Sequence, residues 1–403
     1  MLFIGFWSFE LWQPFWTLWL LVHSSYFEAT LVDIVFWVVS LAVAMPAGAL
    51  ADRFGRKGAM LAGIVLWNVG VVGFGLSTAL PQFALANAAW ALGASFLFSS
   101  GPAYVYDTLV EAGRENEYPE RMSRIAALGF ASSAAGSVVG GLVVTATASF
   151  QAPLLLSLIS GAAAAATVLT FVEPRVPRAL GARLAAQIRE GLRTTRHNRQ
   201  LMLLILFQVL IGIVLYVLMF FRAPFLEDLL AGNYLFMGAL FGSYFLVAAI
   251  SSRLVGRILQ RLGEAGALAV TFVLVFPPFA LFYAVAVGTF SPGTAILLGI
   301  LAQVPSYVIW GLETPVVTTI INRRVLASER ATVLSVSIFF ATASLAVVEP
   351  VVGYLATDLG LGLGLTVLAT VAAVPSALVL ISYHRTGITA PVASTAVLPD
   401  RGR

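Results

Sequence analysis

The sequence predicts an all-α membrane protein of twelve spanning helices, arranged as two pseudo-symmetric bundles of six. Three observations carry this. Of the 403 residues, 60% are hydrophobic and only 10% charged, with a mean hydropathy of +0.94. Soluble domains are about 45–50% apolar and about 25% charged. The apolar residues fall in long continuous runs, each near the roughly 20 residues that cross a hydrocarbon core. A charged stretch between the second and third runs returns, in degenerate form, between the eighth and ninth.

The runs lie near 1–22, 30–51, 58–78, 82–106, 124–147, 152–172, 201–222, 234–256, 265–287, 293–316, 330–356 and 361–383. They are too long and too continuous for a membrane barrel, whose strands alternate over about ten residues. The first run begins without a basic leader, holds Glu10, Gln13 and Pro14, and lacks a small-residue cleavage site. It therefore reads as a spanning helix, not a removable signal peptide. The missing basic tail points to a start slightly upstream.

Orientation follows from the basic residues. With the N-terminus cytoplasmic, 22 of the 23 Lys and Arg residues fall on the cytoplasmic side, and only Arg222 falls on the other. Both termini are then cytoplasmic, in an inner or plasma membrane. Residues 1–172 form the first bundle, 173–200 a cytoplasmic connection, 201–384 the second bundle, and 385–403 a tail expected to be disordered. In the connection, Leu180, Leu184, Ile188 and Leu192 recur every four residues among arginines. That pattern suits a helix lying on an anionic inner leaflet, or else a regulatory docking segment.

Several classes of chemistry are disfavoured. Without cysteine there are no disulfides or thiolate sites. His23, His197 and His384 are far apart, so no metal and no cofactor is expected. No phosphate-binding loop of the G-x-x-x-x-G-K-[ST] kind occurs. No clustered nucleophile and base suggests an enzyme, and the basic charge orients the chain and is not expected to bind nucleic acid.

The charged stretch is GALADRFGRKG, residues 48–58. Gly48 allows close helix approach, Gly55 permits a sharp reversal, and Asp52 is an acid at a helix end beside lipid. The second copy, GRILQRLG, matches Gly48 with Gly256, Leu50 with Ile258, Arg53 with Arg261 and Gly55 with Gly263, at an offset of 208, with Gln260 in place of Asp52. The first copy resembles the signature loop of the major facilitator superfamily: a glycine, an apolar residue, then Asp-Arg-x-Gly-Arg-Arg/Lys. That resemblance implies a secondary transporter whose two bundles rock about a midplane site, with spans 1, 4, 7 and 10 lining a central cavity. It also implies a latch of Gly48, Asp52, Arg53, Gly55, Arg56 and Asp107. Asp52 would engage the start of span 11 near Arg330, Ala331 and Thr332 in the outward-facing state, and Asp107 would pair with Arg56. The plainer alternative is an anchor that only fixes topology. Gly136, Gly140 and Gly141, in GSVVGG, resemble an antiporter motif with Ser137 where proline is usual; ordinary helix packing accounts for them equally. Ala89 stands where proton-coupled drug exporters of the family carry an arginine.

Polar groups in lipid usually face the interior, and their stripes fall on the same spans. Glu10, Gln13 and Thr17 share one face of span 1, beside Pro14, which is able to bend it. Span 4 offers Asn87, Trp90 and Tyr104; span 7 offers Gln208, Gly212 and Tyr216; span 10 offers Gln303, Ser306, Tyr307, Trp310, Glu313 and Thr314. The expected substrate-binding residues are Gln13, Thr17, Trp90, Gln208, Tyr216, Gln303, Tyr307 and Trp310. Glu10, Glu313 and Glu349 are the candidate proton carriers, or else neutral hydrogen-bonding acids. Asp33 reads as a helix-start acid at the interface. Arg222 reads as paired with Glu227 and Asp228, with anion binding as the alternative. Aromatic residues and an acid suit a cationic amphipathic substrate, and a sugar nearly as well. The expected activity is proton-coupled export of small hydrophobic or cationic compounds by a monomer. The alternatives are proton-coupled uptake of a sugar, organic acid or peptide, and a membrane sensor that does not transport.

Overall fold

The computed structural model describes residues 1–175, 193, 198–325 and 330–386. The expected surface helix of the central connection and the C-terminal tail lie outside the described residues. All regular structure among the described residues is helical. In the first half the helices are α1 (Leu2–Trp7), α2 (Trp16–Leu21), α3 (Tyr26–Phe54), α4 (Arg56–Leu76), α5 (Leu80–Glu111), α6 (Tyr118–Thr147) and α7 (Gln151–Leu169). In the second they are α8 (Arg199–Leu230), α9 (Tyr234–Ser252), α10 (Val255–Val275), α11 (Pro277–Val287), α12 (Pro292–Arg324), α13 (Arg330–Leu359) and α14 (Leu361–Arg385). Eleven helical segments are long and apolar enough to cross a membrane, α10 and α11 together counting as one.

The remaining expected span, the first, is not a continuous helix. Residues 8–15 leave the helical path between α1 and α2. Pro14 is the reason. A proline inside a helix removes its own N–H and clashes with the carbonyl four residues earlier, here that of Glu10. The opened backbone lies in lipid depth, where every polar group needs a protein partner. Ser133 Oγ of α6 donates to the Ser8 carbonyl at 3.1 Å, and Ser160 Oγ of α7 donates to the Phe9 carbonyl at 3.1 Å. The segment also needs space against α6. A methyl group on Gly140 would stand 2.1 Å from the Leu11 carbonyl oxygen, and one on Gly136 2.7 Å from the Glu10 nitrogen. Gly141 faces the other way, onto Gly238 of α9. The three glycines of the GSVVGG stretch thus hold the broken segment on one side and the second bundle on the other.

The halves meet along two pairs of helices, α3 against α13 and α6 against α9. The contacts cluster toward the end opposite the basic residues. There Phe27 N donates to Thr357 Oγ1 at 3.1 Å, and Gly353 packs on Tyr26 and Thr30. Gly141, Gly238 and Gly242 bring α6 and α9 to backbone contact.

The internal repeat survives in the backbone. Gly55 has φ 100° and Gly263, 208 residues on, has φ 68°, a region in which residues with a Cβ are strained. Just after each glycine sits a charged residue tied to the end of a neighbouring helix. Arg56 Nε contacts Asp107 Oδ2 of α5 at 3.1 Å. Glu264 Oε2 contacts Arg324 Nη2 of α12 at 2.5 Å. The two halves use the same tether with its charges exchanged.

A Gly140→Ala substitution is expected to destabilise the protein by about 1–3 kcal/mol through overpacking against the opened segment. The check is thermal unfolding in detergent, with Gly212→Ala as the control, because a methyl there meets nothing within 4 Å.

Candidate functional site

A cavity of ≈ 290 Å³ lies between the halves. Its walls come from the first span (Trp12, Gln13, Trp16), α3 (Asp33, Phe36, Trp37), α4 (Trp67), α5 (Asn87, Trp90, Phe98), α8 (Tyr216, Met219, Phe220, Arg222) and α12 (Trp310). Spans 1, 4, 7 and 10 contribute as the family resemblance implied, and spans 2 and 3 join them.

The lining is an aromatic box built around Trp90. Its ring meets Trp12 edge to face at 4.6 Å and Trp67 at 5.6 Å, with Trp16 and Phe36 at 6.1 and 6.4 Å. Such tilted contacts are the preferred geometry of aromatic pairs. The α4–α5 crossing fixes it: a methyl on Gly70 would stand 2.4 Å from the Trp90 nitrogen, and one on Gly93 2.3 Å from the Trp67 nitrogen.

Two charged side chains stand in this box. Asp33 is 3% exposed. Its Oδ2 accepts from the Tyr216 hydroxyl at 2.9 Å and from Trp37 Nε1 at 3.0 Å. Behind it, Glu349 of α13 faces Asp33 across the junction of the halves. Neither carboxylate oxygen of Glu349 has a hydrogen-bond partner among the described residues. Arg222 is 4% exposed. Its Nη2 donates to Gln13 Oε1 at 3.0 Å, and its guanidinium carbon lies 4.6 Å from the Phe241 ring centre and 5.1 Å from that of Tyr307. Its Nε and Nη1 are buried and have no hydrogen-bond partner among the described residues.

Both residues sit elsewhere than the sequence suggested. Asp33 is not an interfacial helix-start acid, because α3 begins four residues earlier than expected, at Tyr26 behind a Ser25–Glu28 capping box. Arg222 does not end its helix or pair with Glu227 and Asp228. Helix α8 continues through Pro224 to Leu230, and Glu227 accepts from the Tyr234 hydroxyl at 3.3 Å.

Of the residues expected to bind substrate, Gln13, Trp90, Tyr216 and Trp310 line the cavity. The others are packed nearby. Thr17 and Gln303 are buried, with Thr17 Oγ1 and Gln303 Nε2 unpartnered. Tyr307 stacks on Tyr244 at 4.9 Å, beneath Arg222. Gln208 accepts from Ser337 of α13. Near it is Glu313, whose Oε2 accepts from Thr314 at 3.0 Å. Glu10 stays within reach of the Gln13 side chain, and it also borders a separate small void with Asn68, Ser157 and Ser160.

The signature loop is organised within the first half. Arg56 bridges Asp52, at 2.7 Å, and Asp107. Glu173, beyond α7, accepts from the backbone N–H of Arg56 and of Lys57, each at 2.7 Å, and so caps the positive end of α4. Arg53 lies over the Phe54 ring, and a methyl on Gly48 would meet nothing within 4 Å. The side chains at the expected partner, the start of span 11 near Arg330, Ala331 and Thr332, lie outside the described ones.

Two like helical bundles enclosing one polar-poled cavity at their junction define a multi-pass membrane transporter of the secondary type. The sequence profile of the Major Facilitator Superfamily matches residues 1–349, and the chain belongs to that superfamily. Solved structures share its fold. The nucleoside transporter NupG superposes with a TM-score of 0.77 at 14% identity, covering 95% of this chain and 98% of that one. A POT family transporter in complex with a thioalcohol-conjugated peptide gives 0.69 at 15%, covering 95% of each chain. A bacterial homologue of the human lysosomal transporter Spinster, inward-facing and occupied, gives 0.69 at 15%, covering 95% of this chain and 94% of that one. At such identities the likeness is one of fold. No curated protein matches the sequence significantly.

Asp107→Asn keeps the shape of the α4–α5 tether and removes its charge. Because Arg56 retains Asp52, the expected loss is about 1–3 kcal/mol, that of a charge-assisted hydrogen bond. Thermal unfolding of the variant against the parent measures it.

Proposed function

We propose that the protein is a proton-coupled secondary transporter working by alternating access, and that its cavity takes a small amphipathic compound with a flat ring. The observation that carries this reading is the pair Asp33 and Glu349. They belong to different halves, are both buried side by side where α3 meets α13, and have no cation within ion-pair distance among the described residues. Two carboxylates in one such site do not both carry charge. As carboxylates, neither can donate to the other; one shared proton supplies the hydrogen bond that Glu349 lacks. Parting α3 from α13 would wet the pair and release that proton, so proton occupancy and the contact between the halves are linked.

The closed end supports the same reading. The α3–α13 and α6–α9 contacts seal the side opposite the basic residues. If the basic side is cytoplasmic, this conformation faces inward, and the signature-loop latch belongs to the opposite state. Glu10 and Glu313 lie outside the lining and act as secondary acids. The glycine pattern of α6 favours export in exchange for protons; Ala89, in place of the family's arginine, favours uptake, and the assay below is therefore run with both gradients.

In vesicles with an imposed pH gradient, the parent is expected to move an aromatic test compound and to carry protons with it. Asp33→Asn and Glu349→Gln are each expected to abolish the gradient-driven component while leaving exchange without a gradient. Gradient-driven flux unchanged in both variants would remove this pair from the coupling mechanism.

A further inference from the structure

We infer that the compound bound in the cavity carries an anionic group, a carboxylate or an ester of phosphate or sulfate, and that Arg222 is the residue that takes it. The inference rests on the transport reading only in calling that compound a substrate.

Arg222 is a buried cation without a counter-ion. No carboxylate oxygen lies within 4.0 Å of its guanidinium among the described residues. Its partners are one amide oxygen, from Gln13, and the faces of Phe241 and Tyr307. Those contacts leave Nε and Nη1, two of its three nitrogens, with nothing to donate to. Arginine stays protonated in proteins, so it cannot escape the cost by losing its charge. A buried charge lacking a partner costs several kcal/mol. Nη2 carries a second N–H besides the one given to Gln13, and with the adjacent Nε or Nη1 it makes the planar fork that matches two oxygens of one anion; the residue lines the cavity.

The other charged pole is already satisfied. Asp33, the one acid lining the cavity among the described residues, accepts from Tyr216 and Trp37 and has Glu349 behind it. Among the charged groups that line the cavity, Asp33 has its donors and Arg222 has two nitrogens without acceptors, so the open demand in the cavity itself is for a negative group. This reverses the cationic substrate that the aromatic lining alone suggested. Tyr216 and Arg222 are six residues apart on α8, about 9 Å along the axis. The tryptophan box and Arg222 line the same cavity, so one ligand can offer a ring to the first and an acid to the second.

Three probes with one ring and different charge test this: 2-naphthoate, 2-naphthamide and 2-naphthylmethylamine, titrated into the full chain in detergent and followed by calorimetry. The parent is expected to bind the acid about tenfold or more tighter than the amide, the gain of a charge-assisted hydrogen bond, and the amine weakest. In Arg222→Gln the acid is expected to lose that advantage, and Arg222→Lys to keep part of it. Equal affinities in the parent, tighter binding of the amine, or no binding of any probe overturns the inference. An acid preference that survives in Arg222→Gln overturns it too. If the glutamine variant does not fold, the order of affinities in the parent still decides. Because binding is measured without a membrane or a gradient, an acid preference without vesicle flux removes the transport reading and leaves this one. Flux without an acid preference does the reverse.

Discussion

Pro14 has no N–H to give and no room for the carbonyl of Glu10, so the first span opens at membrane depth, where freed backbone groups need partners from the protein or the cavity it lines. Each freed carbonyl left bare costs about 1–3 kcal/mol. Two serines on neighbouring helices and two glycines beneath them resolve that, and the rest of the site is arranged around their solution. The opened segment turns Gln13 toward Arg222 and sets Trp12 and Trp16 against Trp90. Were the span a straight helix, Glu10, Gln13 and Thr17 would share one face. In the structure Gln13 reaches Arg222, Glu10 stands beside Gln13 and borders a small void next to α4 and α7, and Thr17 is buried.

The twofold repeat shows which parts of the sequence are under physical constraint. The glycine with positive φ is kept at both copies, because no other residue takes that backbone without strain. The tether that follows it is kept as a pair, not as a residue type: Arg56 with Asp107, Glu264 with Arg324. What matters there is one opposite charge at the end of the neighbouring helix, and either order supplies it. A comparison of the two stretches residue by residue misses this, since Arg56 and Glu264 look unrelated until their partners are known.

Most of the fold was legible because lipid imposes a simple length rule, and eleven of the twelve runs obey it. The signature loop was legible because its glycine and its charges are locally spaced. The site was legible only in part. Gln13, Trp90, Tyr216 and Trp310 were found because polar and aromatic residues at helical spacing face inward. Asp33 and Arg222 lie deeper than the sequence suggests, because an apolar run ends at its first polar residue and the helix does not. Real helices cap and continue: α3 starts at Tyr26 and α8 runs on to Leu230. A shift of four to eight residues is about 6–12 Å of depth, the difference between the interface and the interior. Glu10 keeps Gln13 as a neighbour but borders a void apart from the main cavity, a division that periodicity does not show because Pro14 breaks the helix.

The distribution of partners around Arg222 links binding to closure. Gln13 belongs to the first half, while Phe241 and Tyr307 belong to the second, so the guanidinium is already a contact between the bundles. Ring faces stabilise a desolvated cation by about 2 kcal/mol, which does not replace a counter-ion. The protein's own groups therefore leave the charge of Arg222 unbalanced, and a ligand that balances it relieves that cost only in conformations where Gln13 and the two rings converge. Differential affinity of this kind shifts a population of states, whereas equal affinity for both would move nothing, however tight the binding. Asp33 and Glu349 act on the same junction through α3 and α13. A ligand charge at one pole and a proton at the other thus bias one equilibrium, the separation of the two bundles, without having to touch each other.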